Sequence, residues 1–307
     1  MIQEIAPHRL INTYAPSDPQ PDDLVFAFAG GGGRVLVRVF DDTGRLIDRP
    51  VSDDYPAAPK LVFPHVLDYM QQAPDRLASL RFLFRLDETP VFLDTAEGDA
   101  AIPGFTMLTT RLFRRGLPQE LSFAGATAWH LHAWYRHTRF CGSCGAALIP
   151  DKKERAMRCP SCGLPVYPRI NPAVIIGVTS GDRIILSRYA DGHQSSVYNA
   201  GARTYKGRSL VAGYCEIGET LEDTVRREVM EEVGLQVDHI TYYRSQPWGF
   251  DGALLLGLFC EVTGDDTIRR DPSELAEARW WRRDEIGDVP GTASLTNEMI
   301  RKFRDST

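Results

Sequence analysis

Three glutamates on one short stretch of the chain have the types and spacing to bind a divalent cation. Glu228, Glu231 and Glu232 stand at positions i, i+3 and i+4, so a helix would place them on one face. Carboxylates at such short distances from one another repel, and a bound cation removes the repulsion. Hard oxygen ligands suit Mg²⁺ or Mn²⁺. The spacing predicts a catalytic metal site, although a solvated acidic face would carry the same charges.

A longer pattern surrounds these glutamates, and a solvated acidic face does not explain it. Gly213, Glu219, Arg227 and Gly234 stand at fixed offsets around them. Residues 213–235 match the Nudix box, G-x5-E-x7-R-E-U-x-E-E-x-G-U with U apolar, at every specified position. The chain therefore resembles the Nudix hydrolases, metal-dependent enzymes that cut acid anhydrides between phosphates.

The resemblance to Nudix hydrolases implies a role for each position of the motif. Glu228 and Glu232 would bind the metal, and the carbonyl of Ala212 would complete its shell. Glu231 would be a further ligand or would assist the attacking water. Metal ions neutralise the diphosphate and lower the pKa of that water, which attacks one phosphorus in line. The other fixed positions would brace the loop and helix: Gly213, Glu219, Arg227 and Gly234.

Two CxxC pairs form a second metal site of a different kind. Cys141 and Cys144 are followed, after fourteen intervening residues, by Cys159 and Cys162. Four thiolates close a tetrahedral zinc shell and leave no position for water, so one structural zinc per chain is expected. Basic residues between the pairs could contact nucleic acid, but acidic neighbours reduce the net positive charge there. The favoured interpretation is that the zinc stabilises a segment too small to fold without it.

Two further features resemble one branch of the Nudix enzymes, the zinc-ribbon NAD(H) pyrophosphatases. The ribbon directly precedes the Nudix box region, and residues 245–250 (SQPWGF) are similar to the SQPWPFPxS element of that family, which is also linked to removing NAD caps from RNA. The resemblance covers residues 125–307 well and the N-terminal part only by position. It implies Glu274 as a further metal ligand, and a homodimer in which Tyr167 reaches across to the partner. The substrate-binding residues that it implies are Glu154, Tyr167, Tyr214, Gln246, Pro247, Trp248, Gly249, Phe250, Asp251, Gly252, Ala253 and Ser294.

The sequence departs from this family pattern in two places. Gly249 replaces a proline, and Asp251-Gly252-Ala253 replaces Pro-x-Ser, which makes the loop less rigid and adds a negative charge near the substrate. Residues 189–208 form a longer link than usual and carry tyrosines and basic residues. A solvated loop is the favoured interpretation of this link; the alternative is a lid that brings cations to the phosphates.

The predicted fold class is α+β in three parts. Residues 1–123 form a mixed α/β domain like that of the NAD pyrophosphatases, residues 124–169 a linker helix and zinc ribbon, and residues 170–307 a Nudix α/β/α sandwich. Strands are predicted at 34–40, 91–93, 173–178, 183–187, 240–244 and 253–262. Helices are predicted at 124–140, at 220–233 and at the C-terminal end.

Several local features admit a structural and a functional interpretation. The glycine run 30–33 is interpreted as a hairpin turn rather than a phosphate loop, because a strand and not a helix follows it. His130, His132 and His137 could bind zinc, but packing is favoured because four thiolates already complete a site. The isolated cysteines, Cys215 and Cys260, are expected to be buried small hydrophobes.

Composition narrows the function classes. The net charge of −6 argues against nucleic-acid binding through charge alone. The N-terminus MIQEIAPHRL has no signal pattern, and no apolar run is long enough for a membrane helix, so a soluble cytoplasmic protein without a membrane partner is expected. The expected reaction is hydrolysis of NAD(H) to AMP and nicotinamide mononucleotide. The alternatives are another diphosphate, such as ADP-ribose, a dinucleoside polyphosphate or an RNA cap, and a non-catalytic nucleic-acid-binding protein.

Overall fold

The protein divides into two compact units. The computed structural model describes residues 1–29, 33–47, 58–190 and 207–306. One unit is Ile2–Arg169, and the other is Ile170–Thr307 together with Met1. The first two predicted parts, residues 1–123 and 124–169, therefore belong to one unit.

The unit Ile2–Arg169 is built from short strands and two helices. Its strands are β1 (Leu10–Ile11), β2 (Leu24–Ala27), β3 (Arg34–Phe40), β4 (Lys60–Val62), β5 (Leu80–Leu86), β6 (Thr89–Asp94), β7 (Thr106–Thr109), β8 (Ile149–Pro150), β9 (Met157–Arg158) and β10 (Pro165–Val166). Its helices are α1 (Val66–Gln72) and α2 (Gln119–His137), with 3₁₀ helices at Pro74–Ser79 and Thr110–Arg114. Within the described residues the strands form sheets ordered β1-β5-β6-β2, β4-β3-β7 and β10-β9-β8.

Helix α2 corrects the predicted helix over residues 124–140. It begins at Gln119 and ends at His137, so the predicted boundary at 123 falls inside it. Pro118 precedes the first turn with φ of −70°, which suits a helix start, and its missing N–H removes no helical bond. Gly125 allows the close approach of Phe113, since a Cβ there would lie 2.3 Å from that ring. Pro118 marks the start of the helix, and the packing of Gly125 against Phe113 holds its second turn.

The glycine run and two of the histidines singled out in the sequence lie in this unit. Gly33 has a φ of +58° and β3 follows at once, so the prediction of a strand after the glycine run is confirmed, while residues 30–32 lie outside the described ranges. His130 Nε2 is 2.8 Å from the carbonyl oxygen of Arg169. His132 packs with the rings of Phe28 and Trp129, at centroid distances of 5.1 and 5.5 Å.

The described residues of the unit Ile170–Thr307 form one mixed sheet and two helices. Its strands are β11 (Asn171–Ser180), β12 (Arg183–Tyr189), β13 (Val211–Tyr214), β14 (Val237–Trp248), β15 (Ala253–Val262) and β16 (Leu275–Arg282). Its helices are α3 (Leu221–Val233) and α4 (Leu295–Asp305), with a 3₁₀ helix at Arg283–Glu285. The strand order in the described residues is β14-β15-β11-β12-β16, and β13 pairs with β11. Strands β11 and β15 are parallel, and the other pairs are antiparallel.

The two helices cover opposite faces of this sheet. Helix α3 buries Val225, Val229 and Val233 in one apolar cluster with β11. Helix α4 buries Leu295 and Met299 in a second cluster with β12. Each fully buried aliphatic side chain contributes about 1.5–3 kcal/mol. The predicted α/β/α sandwich is confirmed.

Strand β14 is longer than the predicted strand at 240–244. It runs from Val237 to Trp248, so most of the 245–250 element lies in a strand paired with β15. Gly252, at φ of +65°, makes the turn between the two strands. Most of the 189–208 link, residues 191–206, lies outside the described ranges, and the lid hypothesis falls there. No helix among the described residues has the length and apolar character needed to cross a bilayer.

Candidate active site

Helix α3 is fixed at both ends by local sequence. The hydroxyl of Thr220 accepts a hydrogen bond from the Asp223 backbone N–H (3.1 Å), and the Asp223 carboxylate accepts one from the Thr220 backbone N–H (3.5 Å). This reciprocal capping satisfies N–H groups that the first turn leaves open. Gly234 ends the helix in the left-handed conformation, with φ of +69°. The glutamates of the helix are therefore presented on a rigid element.

Gly213 on β13 makes room for Glu228. A Cβ at position 213 would lie 1.9 Å from the Glu228 carboxylate carbon, so any side chain there would displace this glutamate. Glu228 is 9% exposed. Burial raises the pKa of Glu228, and the Arg227 guanidinium opposes that rise. The first glycine of the motif thus has a steric reason that spacing alone does not reveal.

Glu232 is the most deeply buried carboxylate of the helix face. It is 1% exposed, and the backbone N–H of Ala212 donates to its Oε1 at 3.4 Å. Its Oε2 is buried and has no hydrogen-bond partner among the described residues. Burial raises the pKa of Glu232 to about 8, and the charges of Glu274 and Glu228 add to the rise. A buried oxygen left unpaired costs about 1–3 kcal/mol, more for a charged group.

Arg227 joins the loop before the helix to the helix itself. Its guanidinium forms a two-bond ion pair with Glu219, Nε to Oε1 at 2.6 Å and Nη2 to Oε2 at 3.0 Å, and donates to the Tyr214 carbonyl at 3.0 Å. Its Nη1 also donates to Glu228 (2.7 Å) and Glu231 (3.0 Å). The arginine lowers the pKa of Glu219 to about 2. Two of the three clustered glutamates therefore share one guanidinium.

The surroundings of Glu228 and Glu232 fit a hard divalent cation. Glu274 lies just before β16 and is exposed, yet its charge raises the pKa of both glutamates, so it stands near them. The unpartnered Oε2 of Glu232 is the kind of oxygen that a cation satisfies. Glu231 is 60% exposed and lies on the solvent side of the same helix.

The four predicted zinc ligands come together. The Sγ atoms of Cys141, Cys144, Cys159 and Cys162 all lie within 4.8 Å of one another, with 3.6 Å between Cys141 and Cys162 and 3.4 Å between Cys144 and Cys159. A tetrahedral zinc with bonds of about 2.3 Å places its sulfurs about 3.8 Å apart, so the geometry fits. In the described part of the chain, no carboxylate group converges in this way.

The 245–250 element is tied to the structure by its polar side chains. Gln246 is fully buried; its Nε2 donates to the Ala293 carbonyl (2.8 Å), and its Oε1 accepts from the Leu295 backbone N–H (2.7 Å). Trp248 donates from Nε1 to Asp251 Oδ2 at 2.8 Å. The Asp251 carboxylate therefore holds the indole across the turn, and its effect on a negatively charged substrate stays a prediction.

The remaining substrate-contact predictions lie in both units. Tyr214 is 44% exposed at the end of β13. The Ser294 hydroxyl caps α4 by accepting from the Asn297 backbone N–H at 3.3 Å. Tyr167 and Glu154 belong to the other unit, where the Tyr167 hydroxyl donates to the Glu154 carboxylate at 2.7 Å. Pro247 lies in β14, Gly249, Phe250 and Gly252 lie in the turn, and Ala253 begins β15.

Tyr189 is a residue near the site that the sequence did not single out. It ends β12 opposite Leu275, the residue after Glu274. Burial raises the pKa of Tyr189 to about 12, a hydrogen bond with Ser209 opposes the rise, and the charges of Glu232 and Glu274 add to it. The position of Tyr189 at the end of a buried strand could have indicated that it lies near the site. The sequence analysis instead grouped it with the long link that follows.

Two family models match this chain. One, described as NUDIX domain, matches residues 169–303. The other, described as NADH pyrophosphatase zinc ribbon domain, matches residues 136–167. Together they cover Glu228, Glu231 and Glu232 and the four cysteines.

Named proteins are similar over most of the chain. The NAD-capped RNA hydrolase NudC of Stutzerimonas stutzeri is 34% identical over 246 residues, 79% of this chain and 83% of that protein. The NAD-capped RNA hydrolase NudC of Pseudomonas putida is 36% identical over 214 residues, 70% of this chain and 73% of that protein. Among solved structures, a NUDIX hydrolase from Nitrosomonas europaea has a TM-score of 0.41 at 18% identity and covers 54% of this chain and 91% of that one.

Proposed function

Because the chain belongs to the zinc-ribbon NAD(H) pyrophosphatase family of Nudix hydrolases, we propose that it hydrolyses NAD(H) and removes NAD caps from RNA. The products are AMP, or RNA with a 5′-monophosphate, and nicotinamide mononucleotide. Water adds across one P–O bond of the diphosphate, so no oxidant or second substrate is needed. The observation that carries the catalytic part is the buried, unpartnered oxygen of Glu232 beside Glu228 and Glu274.

The residues that would hold a catalytic Mg²⁺ or Mn²⁺ are Glu228, Glu232, Glu274 and the carbonyl of Ala212. When bound, the cation supplies charge neutralisation and a water of lowered pKa. Glu231, exposed on the same face, is proposed to accept a proton or to serve as a further ligand. Arg227 holds the loop and helix in register through Glu219 and the Tyr214 carbonyl.

Substrate recognition is proposed for the residues around the β14–β15 turn and the end of β13. Tyr214 is exposed and can stack on a base, since every base offers a π face. Gln246 is buried and acts as a positioning residue that ties β14 to the start of α4, next to Ser294. The Trp248–Asp251 bond stiffens a turn that lacks the family's prolines. The remaining proposed contacts are Glu154, Tyr167, Pro247, Gly249, Phe250, Gly252 and Ala253.

Assembly and location are also proposals. A homodimer is expected from the family, and light scattering after size-exclusion chromatography would show the mass of one or two chains. We propose a cytoplasmic location because the four clustered cysteines are proposed zinc ligands, and thiols stay reduced in the cytoplasm.

A second candidate substrate is another diphosphate, such as ADP-ribose or a dinucleoside polyphosphate. The observation that favours it is the changed turn at Gly249 and Asp251, where Asp251 binds Trp248. A non-catalytic nucleic-acid-binding role is disfavoured because Glu228, Glu231 and Glu232 are all retained.

The test is kcat/KM with Mg²⁺ or Mn²⁺ on NADH, NAD⁺, ADP-ribose, diadenosine polyphosphates and NAD-capped RNA, with products identified by chromatography. NADH, NAD⁺ or NAD-capped RNA should lead, with nicotinamide mononucleotide as a product. A lead by ADP-ribose or a dinucleoside polyphosphate would replace the first proposal with the second.

A further inference from the structure

Four separate segments of the unit Ile2–Arg169 contribute to a cluster of two arginines and two tyrosines. Tyr14 comes from the N-terminal segment, Arg81 from β5, Tyr135 from α2 and Arg155 from the loop between the cysteine pairs. The Arg81 guanidinium carbon lies 4.4 Å from the Tyr135 ring centroid, and that of Arg155 lies 5.4 Å from the Tyr14 centroid. We call these four residues the arginine–tyrosine cluster.

Arg155 is half-buried without a full set of partners. Its Nη2 donates to the Asn12 carbonyl at 3.1 Å, whereas its Nη1 is buried and has no hydrogen-bond partner in the described part of the chain. Burial lowers the pKa of Arg155, and the groups that oppose this are the phenols of Tyr135 and Tyr14. A guanidinium withdrawn from water without a partner for each N–H is costly.

No described carboxylate forms an ion pair with Arg81 or Arg155. This differs from other arginines of the same unit, such as Arg76, which binds Asp94 at 2.8 Å, and Arg158, which binds Asp151 at 2.6 Å. Two positive charges are therefore gathered without a carboxylate counter-ion among the described residues.

The arginine–tyrosine cluster presents hydrogen-bond donors. Guanidinium groups only donate, and their planar fork matches the oxygens of phosphate and carboxylate. Burial raises the pKa of the Tyr135 hydroxyl and the charges of Arg81 and Arg155 oppose the rise, so the phenol keeps its O–H as a donor. Two forks and two hydroxyls supply more donors than the two oxygens of a carboxylate can use well. A group with three or four acceptor oxygens fits this set better.

We propose that the arginine–tyrosine cluster binds a phosphate group, either as the free ion or as part of an RNA chain. The inference goes beyond the hydrolysis proposed above, since none of the four residues belongs to the proposed metal or substrate set. The phosphate fills the place of the missing counter-ion and accepts from Arg155 and Arg81 together.

Calorimetric titration with inorganic phosphate tests the site in the full-length, zinc-loaded protein without Mg²⁺. Arg155→Gln and Arg81→Gln should each weaken phosphate binding by about tenfold or more, because charge-assisted hydrogen bonds are lost. Arg85→Gln is the matched control, since Arg85 lies on the same strand and donates to the Glu88 carbonyl. It should bind phosphate as the unchanged protein does.

A second titration distinguishes the two sources of phosphate. A short fluorescent oligoribonucleotide with a 5′-hydroxyl replaces the free ion, and binding is followed by anisotropy. If both arginine variants bind the oligoribonucleotide more weakly and the free ion binds poorly to the unchanged protein, the ligand is the RNA chain. If the variants weaken only the binding of the free ion, the ligand is phosphate.

The proposal is overturned if both variants bind phosphate and oligoribonucleotide as the unchanged protein does, if neither probe binds at all, or if acetate at equal ionic strength competes as well as phosphate. Zinc content and circular dichroism check the fold of each variant. If Arg155→Gln does not fold, the half-buried Arg81 on β5 decides the outcome. Turnover of NADH is measured in parallel, so failure of the hydrolase proposal is seen separately.

Discussion

Among single residues, Glu232 has the surroundings that most demand a bound cation. Its Oε2 is buried and unpartnered, and burial raises its pKa to about 8. We expect Glu232→Gln to lower kcat on NADH by about a thousandfold or more, equivalent to roughly 4 kcal/mol of transition-state stabilisation, because a metal ligand is lost. Zinc content and melting temperature should be retained, since glutamine keeps the shape of the side chain and places no charge in the buried site.

The control for this substitution is Glu222→Gln. Glu222 is an exposed residue in the first turn of the same helix, so its amide should leave kcat near that of the unchanged protein. A Glu232→Gln variant that turned over NADH at the original rate would rule out the proposed metal role.

Gly213 offers a steric test of the same site. A methyl group at this position would lie 1.9 Å from the Glu228 carboxylate. We expect Gly213→Ala to raise the Mg²⁺ concentration needed for half-maximal activity and to lower kcat by at least about tenfold, because one misplaced ligand is costly. Gly142→Ala is the control, because nothing lies within 4 Å of a Cβ there. Equal Mg²⁺ dependence in the two variants would contradict the steric argument.

At the level of elements, α2 makes the stability of its unit depend on pH. His132 is packed between aromatic rings, and burial lowers its pKa to about 4, with the charges of Arg136 and His137 adding to the fall. The folded state therefore holds a neutral imidazole, while the unfolded chain takes up a proton near pH 6.5. The contribution of His132 is fully present above pH 6.5 and is lost as the pH falls from 6.5 to about 4.

We expect this loss to reach a few kcal/mol, at about 1.4 kcal/mol for each unit of pKa difference. Urea unfolding at pH 7 and pH 5 measures it, and His132→Phe should show a smaller decrease between the two. His130, whose pKa is also lowered by burial, titrates in both proteins and cancels in the comparison. An identical decrease in both would show that His132 is not the cause.

The elements that local sequence determines were predicted well. Helix α3 has its cap at Thr220 and its stop at Gly234, and strands β11 and β12 are continuous apolar runs. The start of α2 was missed although Pro118 marks it, and the packing of α2 and the length of β14 were not predictable from local sequence. Helix α2 depends on Gly125 packing against Phe113, and β14 extends because β15 pairs with it as far as Trp248.

The same distinction holds for the candidate site. The spacing of Glu228, Glu231 and Glu232 along one helix was visible in the sequence. The reason for Gly213 and the position of Tyr189 were not, because both depend on residues far away in the chain that the fold brings together.

At the level of the whole molecule, two metals should have different consequences when removed. The ribbon strands β8, β9 and β10 have two residues each, too few to hold a fold without a metal. We expect a weak chelator to abolish activity reversibly, with full recovery on adding Mg²⁺. A strong chelator should also remove zinc and unfold the ribbon.

Hydrogen exchange over residues 139–167 measures the unfolding of the ribbon, and a zinc assay run in parallel shows when the zinc is released. The unit Ile170–Thr307 supplies the internal control, because none of the four predicted zinc ligands belongs to it and its protection should persist. Retained protection of the ribbon after zinc has left would contradict the structural role of the metal.

Arg227 supplies the catalytic helix with a positive charge that is part of the chain. Since its guanidinium already binds Glu228 and Glu231, a newly made polypeptide can bring these carboxylates together before any divalent ion arrives. Binding of the proposed divalent ion would then exchange one cationic partner of these carboxylates for another, while the arginine would stay tied to Glu219. A cell short of that ion would thus accumulate protein that is folded and inactive until the ion returns.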